Sequence, residues 1–344
     1  MEVQVVERTY DYPAKNTVRE EWMRFLPPDL SHPNDFGLYL PGCENLEING
    51  YLNKGMSARR LIGAEHDPSV IERVITNSGG IRLIRGSLLD AIHDCEWNNL
   101  PRLRFANLDF DGNQHTFLEE ILALARIFPS IRGSYLGVTS YAARDKGALV
   151  QGIVNGCKFY SGLPTSSTFA HEYGHMLRRY EHLLHLIPRS EQGAHAHVQR
   201  ELGLMWWIVL MLSVIDPLEG SRVSVFDQRF IDALEWTLGD LTGSVQAQLQ
   251  DGNGTDRMIF LANRDLRNVL ASRSVSWWVN DLRRLAYWSL NRQPMRTWYF
   301  RIVPVSPGQV ETAQALLEQI WVLASRAPLV YVDSDGEQVV IQSR

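Results

Sequence analysis

Three things are scarce in these 344 residues, and each scarcity closes off a class of protein. Cysteine is the first. Cys43, Cys95 and Cys157 stand far apart with no CxxC pair, which excludes a disulfide framework and fits a reducing compartment. Long apolar runs are the second. The most hydrophobic stretch, residues 204–215, falls short of the ~20 residues that cross a bilayer and reads as a buried helix. The chain start, Met-Glu-Val-Gln-Val-Val-Glu-Arg, lacks the basic and apolar order of a secretion signal. No membrane partner is expected, and the cytoplasm is the expected location. Excess positive charge is the third: 34 Lys and Arg against 39 Asp and Glu leave a net charge of −5, so no global field points to nucleic acid.

What is present is a globular composition, 45% hydrophobic and 21% charged, in a chain long enough for one large domain or two ordinary ones. Residues 15–25 predict a short amphipathic helix, stopped at Pro27-Pro28. Short apolar runs then recur at residues 36–40, 60–64, 81–84, 103–110 and 134–139. Helical patterns separate them, at residues 45–52, at 68–76, from 88 onward and at 116–128. Such repeated βα units predict a mostly parallel sheet, and the right-handed crossover rule leaves few topologies.

Residues 150–282 read differently, as long helices at 168–186, 195–215, 227–247 and 264–286. Strand patterns resume at residues 285–290 and 295–305, joined by the turn-prone Asn291-Arg292-Gln293-Pro294. A helix at 311–325 and a hairpin at 329–341, around Asp333-Ser334-Asp335-Gly336, complete the chain. The expected organisation is an extension over residues 1–33, an α/β domain formed by 34–149 and 283–344, and a helical insertion over 150–282. The apolar helix around Trp206-Trp207 reads as core or as a subunit contact, which would make a homo-oligomer through the insertion.

In a doubly wound sheet, ligands sit beyond the carboxyl ends of the strands. Four segments fall at those ends: Leu40-Pro41-Gly42-Cys43-Glu44-Asn45 after the first strand, Gly63-Ala64-Glu65-His66-Asp67-Pro68 after the second, Gly86-Ser87-Leu88-Leu89-Asp90 after the third, and Leu108-Asp109-Phe110-Asp111-Gly112 after the fourth. With the late hairpin supplying antiparallel last strands, this arrangement resembles the Rossmann-like fold of the class I S-adenosylmethionine-dependent methyltransferases. The resemblance covers about half the chain. It implies that Pro41 and Gly42 line the cofactor turn and that Glu65, with His66 beside it, meets the ribose. It further implies that Ser87 and Leu88 lie beside the adenine, and that Asp109 and Asp111 form the catalytic face. Two departures stand beside it. The first turn holds one glycine where the family has Gly-x-Gly-x-Gly, and Asp109-Phe110-Asp111-Gly112 is not the Asn/Asp-Pro-Pro-aromatic box of enzymes that methylate exocyclic base or glutamine amides.

A second motif competes. In Thr168-Phe169-Ala170-His171-Glu172-Tyr173-Gly174-His175, two histidines share one helix face, with Glu172 placed to deprotonate a bound water, which resembles the zinc metallopeptidases. The third ligand is open among Glu181, His182, His185, His195 and Glu201, and Arg178-Arg179 follow within a turn. The context, a helical insertion, argues against a catalytic zinc. The hairpin at 285–305 also interleaves Arg283, Arg284, Arg292, Arg296 and Arg301 with Tyr287, Trp288, Trp298 and Tyr299; alternating inward aromatics account for it better than a nucleic-acid strand does. Three functions are therefore expected in order: a methyltransferase-like protein using S-adenosylmethionine on an unidentified acceptor, a non-catalytic binding or structural relative, and a zinc peptidase.

Overall fold

The computed structural model describes residues 10–77, 79–98, 100, 102–110, 112, 118–142, 166–186, 193–213, 215, 273–306 and 308–341. Asp111, Cys157 and the helix expected at 227–247 lie outside the described residues.

Helix α1 (Pro13–Phe25) forms where a proline occupies the first turn, whose N–H would have no intrahelical partner. Its apolar stripe, Ala14, Val18, Trp22 and Phe25, is buried, and it stops at extended Leu26 ahead of Pro27-Pro28. Strands β1 (Phe36–Tyr39), β2 (Leu61–Glu65), β3 (Arg82–Arg85), β4 (Leu103–Asp109) and β5 (Ser134–Tyr141) pair in parallel. Between them run α2 (Ile48–Asn53), α3 (Pro68–Asn77), α4 (Leu88–Trp97) and α5 (Leu118–Ala123). The insertion contributes two long helices, α6 (Ser166–Leu184) and α7 (Gly193–Ser213).

The chain returns through short β6 (Ser274–Val275) into β7 (Trp277–Trp288) and β8 (Pro294–Pro304). Then come short β9 (Glu311–Thr312), α8 (Ala313–Arg326), β10 (Leu329–Val332) and β11 (Gln338–Ile341). The nine-stranded order is β11-β10-β7-β8-β5-β4-β1-β2-β3. Strand β8 wedges between β5 and β7 and runs antiparallel to both, which leaves β7 parallel to the first five. The sheet is thus Rossmann-like and mostly parallel, with antiparallel strands toward one end. The C-terminal α8–β10–β11 unit extends it, β10 joining β7 in parallel.

One expectation fails. Residues 277–286, read as the end of a helix over 264–286, are strand. Leu282, Leu285 and Ala286 recur at helical spacing, but a register shift between Val279 and Asp281 breaks the strand's alternation there. Arg284, fully buried in mid-strand, further hides the period of two.

Helices cover both faces. On one, α1 and α2 pack Trp22, Phe25 and Tyr51 onto Phe105, Tyr135 and Tyr299, with Tyr51 stacked on Phe105 at 4.6 Å between ring centroids. Gly37 makes room for this cluster: a Cβ there would lie 2.1 Å from the Phe105 ring. On the other face α4, α5, α6, α7 and α8 bury an aliphatic core that includes Ile92, Ile121, Leu183, Ile208 and Ile320.

Candidate functional site at the carboxyl edge of the sheet

Right-handed βα connections aim the turns after β1, β2 and β4 at the same edge, so the site can be assembled strand by strand. After β1, Gly42 takes φ +57°, in the left-handed region that a side chain disfavours. Asn45 is also left-handed at φ 47°. Its Oδ1 accepts the Tyr39 hydroxyl at 2.7 Å, and its Nδ2 donates to the Asn77 carbonyl at 3.1 Å. Asn77 Nδ2 in turn donates to the Cys43 carbonyl at 3.0 Å. Side-chain bonds to α3 thus brace a turn that has only one glycine. Asn45 has a sequence signal that went unused: asparagine is the commonest non-glycine residue in this conformation. Pro41 lies over Gly63 of β2, its ring carbon 3.3 Å from where a Cβ would be.

After β2, Glu65 is mostly buried, with 15% of its side chain exposed. Its Oε1 accepts the Asp67 amide at 2.9 Å and lies 3.7 Å from Nδ1 of the exposed His66. Asp67, not Glu65, caps α3, through bonds to the Ser69 amide and hydroxyl. No hydrogen bond from a described residue reaches Glu65 Oε2. After β3, Ser87 and Asp90 form a reciprocal capping box at the start of α4, and the Leu88 side chain is buried in the core.

After β4 comes an arrangement that sequence reading missed. Lys15, on the buried stripe of α1, places Nζ 2.5 Å from Asp109 Oδ2 and 3.0 Å from the Tyr287 hydroxyl, which accepts from it. The ammonium also lies 5.5 Å from the centroid of the Tyr287 ring. Lys15 is 5% exposed in its side chain and Asp109 20%. Diagonal to Tyr287 on β8, Thr297 has its hydroxyl 2.8 Å from that of Thr139 on β5. Burial, reinforced by the Asp109 carboxylate, holds the Tyr287 phenol well above its ordinary range, and burial raises Tyr12 as well. The only advance sign of Lys15 was its place three residues before Val18 and seven before Trp22, on the apolar face.

The N-terminal approach to α1 leans on the same edge. Tyr10 donates its amide to Glu44 Oε2 at 2.9 Å, and its ring lies 3.6 Å from where a Gly42 Cβ would stand.

The edge therefore brings together Pro41, Gly42, Glu65 and Asp109, adds Lys15, Tyr287 and Asn45, and commits Ser87 to a helix cap. The competing motif lies on α6, on the opposite layer. The side chains of His171 and Glu172 lie outside the described residues; His175 Nδ1 sits 3.0 Å from the Arg178 guanidinium. Glu201, considered above as a third ligand, is instead buried against Arg284 at 2.6 Å. Among the described residues no group of three or more His, Cys, Asp or Glu side chains is placed to hold a metal ion, and no helix is long and apolar enough to cross a membrane.

No family model matches the chain, and no curated protein matches it. Among solved structures, the chain aligns with an O-methyltransferase from Bacillus cereus in complex with SAH at 9% identity and a TM-score of 0.31, over 86% of this chain and 93% of that one.

Proposed function

We propose that the chain is a methyltransferase-like protein that binds S-adenosylmethionine at the carboxyl edge of β1, β2 and β4 and acts on an unidentified acceptor. One observation carries this reading. The order β3-β2-β1-β4-β5-β8-β7, with β8 antiparallel between its neighbours, puts the left-handed Gly42 turn and the acids Glu65 and Asp109 on one edge. The residues present fit such a ligand. Gly42 gives the first turn a left-handed bend that a side chain disfavours, Glu65 Oε2 suits a ribose hydroxyl, and Asp109 Oδ1 suits a donor on the amino-acid tail. The cofactor would supply an electrophilic methyl group. The protein's part is to hold and orient the ligand between the braced first turn and the end of β4.

A non-catalytic relative is the second reading, favoured by the capping box that engages Ser87 and by the single-glycine turn. Calorimetric titration with S-adenosylhomocysteine separates the two. Glu65→Ala is expected to weaken binding by ~1.5–3 kcal/mol, the worth of a hydrogen bond to a charged group. No heat from the parent protein at about 1 mM ligand moves the assignment to the non-catalytic reading.

A further inference from the structure

Lys15 is a costly residue to bury. An ammonium with 5% of its side chain exposed gives up its hydration and must be repaid by a counter-charge and hydrogen bonds. Asp109 and Tyr287 provide both. The helix that carries Lys15 is itself fixed. Thr17, half a turn on, donates its hydroxyl to the Gly336 carbonyl at 2.9 Å, in the turn between β10 and β11. Gly336 is left-handed at φ +85°, and a Cβ there would come within 2.8 Å of the Thr17 hydroxyl. Tyr299 also donates its hydroxyl to the Val18 carbonyl at 2.8 Å. The α8–β10–β11 extension therefore braces α1 from one side while the sheet holds it from the other. Lys15 reaches Asp109 from a rigid support.

Resting on the ligand reading above, we propose that Lys15 is a positioning residue for Asp109. Its ammonium pins Oδ2 and turns the carboxylate so that Oδ1 meets a hydrogen-bond donor on the ligand, namely the ammonium of an amino-acid tail. Lys15 does not touch the ligand. It acts through the carboxylate, and because Lys15 and Asp109 together are neutral, the site takes a zwitterionic tail without an unbalanced charge.

The experiment compares two ligands on the full chain: S-adenosylhomocysteine, which carries the amino-acid tail, and 5′-methylthioadenosine, which shares the nucleoside and lacks the tail. In Lys15→Met, S-adenosylhomocysteine affinity is expected to fall at least ~10-fold while 5′-methylthioadenosine affinity stays within about 2-fold. Lys15→Arg, which keeps a cation in reach of Oδ2, should restore most of the loss. Asp109→Asn carries the same expectation as Lys15→Met and remains available if that variant does not fold. Equal losses for both ligands mean that Lys15 only holds the fold together, and no loss for either means that Asp109 needs no positioning; each result overturns the proposal. A parent that binds 5′-methylthioadenosine but not S-adenosylhomocysteine overturns this inference alone, whereas a parent that binds neither overturns the ligand reading together with it.

Discussion

Among the described residues, two of the buried charge networks lie on opposite faces of the sheet, and they differ in how far they are closed to solvent. On the α1 face Lys15 meets Asp109 and Tyr287 at the carboxyl edge, with the acid one-fifth exposed. On the opposite face Arg284 meets Glu201 at 2.6 Å, both 1% exposed, and the surrounding groups close around them. There Trp298 Nε1 donates to Glu201 Oε1 at 3.3 Å and Arg284 donates to the Ala327 carbonyl at 2.7 Å. Arg296 lies 2.6 Å from His197 Nδ1, and the His197 ring stacks on Tyr180 at 4.9 Å and 3°. Arg179 donates to the Ala324 and Arg326 carbonyls at the end of α8. The second network ties the insertion helices and α8 to the sheet and keeps its acid away from solvent. The first leaves its acid one-fifth exposed. Burial is common to both; the residual exposure of the acid distinguishes them.

Breaking the closed network should have the largest effect. Glu201→Ala leaves Arg284 buried without its counter-charge and is expected to cost ~3–5 kcal/mol in urea unfolding, with nucleoside-ligand affinity unchanged in the protein that remains folded. Replacing both partners, Glu201→Leu with Arg284→Met, should recover most of that loss, because neither charge is then desolvated. A double variant as unstable as the single one would mean that the pair does more than compensate itself.

The open network should respond less in stability and more in binding. Lys15→Met is expected to cost ~1.5–3 kcal/mol by the same unfolding measurement, since it removes hydrogen bonds to a partly solvated carboxylate. If its loss matched that of Glu201→Ala, with ligand affinity untouched, the contrast between the two networks would collapse.

Smaller still is Gly42→Ala. A side chain in the left-handed region costs ~1–2 kcal/mol, and it should appear as a lower melting temperature without loss of the sheet's circular dichroism. A neutral or stabilising result would mean that the turn relaxes out of the conformation that brings Gly42 to the edge.

The smallest effect concerns alkaline pH and samples both networks. Burial raises Tyr287 on one face and Tyr180 on the other well above the ordinary phenol value of 10.0. The unfolded chain therefore ionises these phenols first, and stability is fully present below about pH 9 and falls as pH rises through 10 and beyond. Tyr287→Phe and Tyr180→Phe should each flatten that decline, as read from melting temperatures between pH 8 and 11. An unchanged slope in both would place the alkaline sensitivity elsewhere.

Much of the fold was legible because its cues are local. Pro13 and Pro27-Pro28 bracket α1, Ser87 and Asp90 announce α4, and five apolar runs at βα spacing lay out the parallel strands. The late hairpin was legible as a turn between two strands, though β7 begins at Trp277, where a register shift and a buried arginine mimic a helix. The placement of Gly42, Glu65 and Asp109 at one edge could be read because strand ends face one edge by topology. Ser87 was read as a ligand contact although its capping pattern with Asp90 already supplied a structural use for it. Lys15, Tyr287 and Asn45 were missed. Lys15 and Tyr287 are separated by 272 residues in the chain, and no periodicity links them.

The sequence by itself determined the alternation of helix and strand among the described residues between 10 and 142, though the helix expected at 116–128 is α-helical only over Leu118–Ala123, and it determined that the strands run mostly parallel and which chain positions end up at the carboxyl edge. These follow from propensity, patterning and the handedness of βα connections, all of which act over tens of residues. Only the tertiary structure decided that β8 would wedge between β5 and β7, that the C-terminal hairpin would brace α1, and that Lys15 rather than solvent would face Asp109. A buried charge is stable only beside a partner brought from elsewhere in the chain, so the identity of that partner is a property of the packed whole.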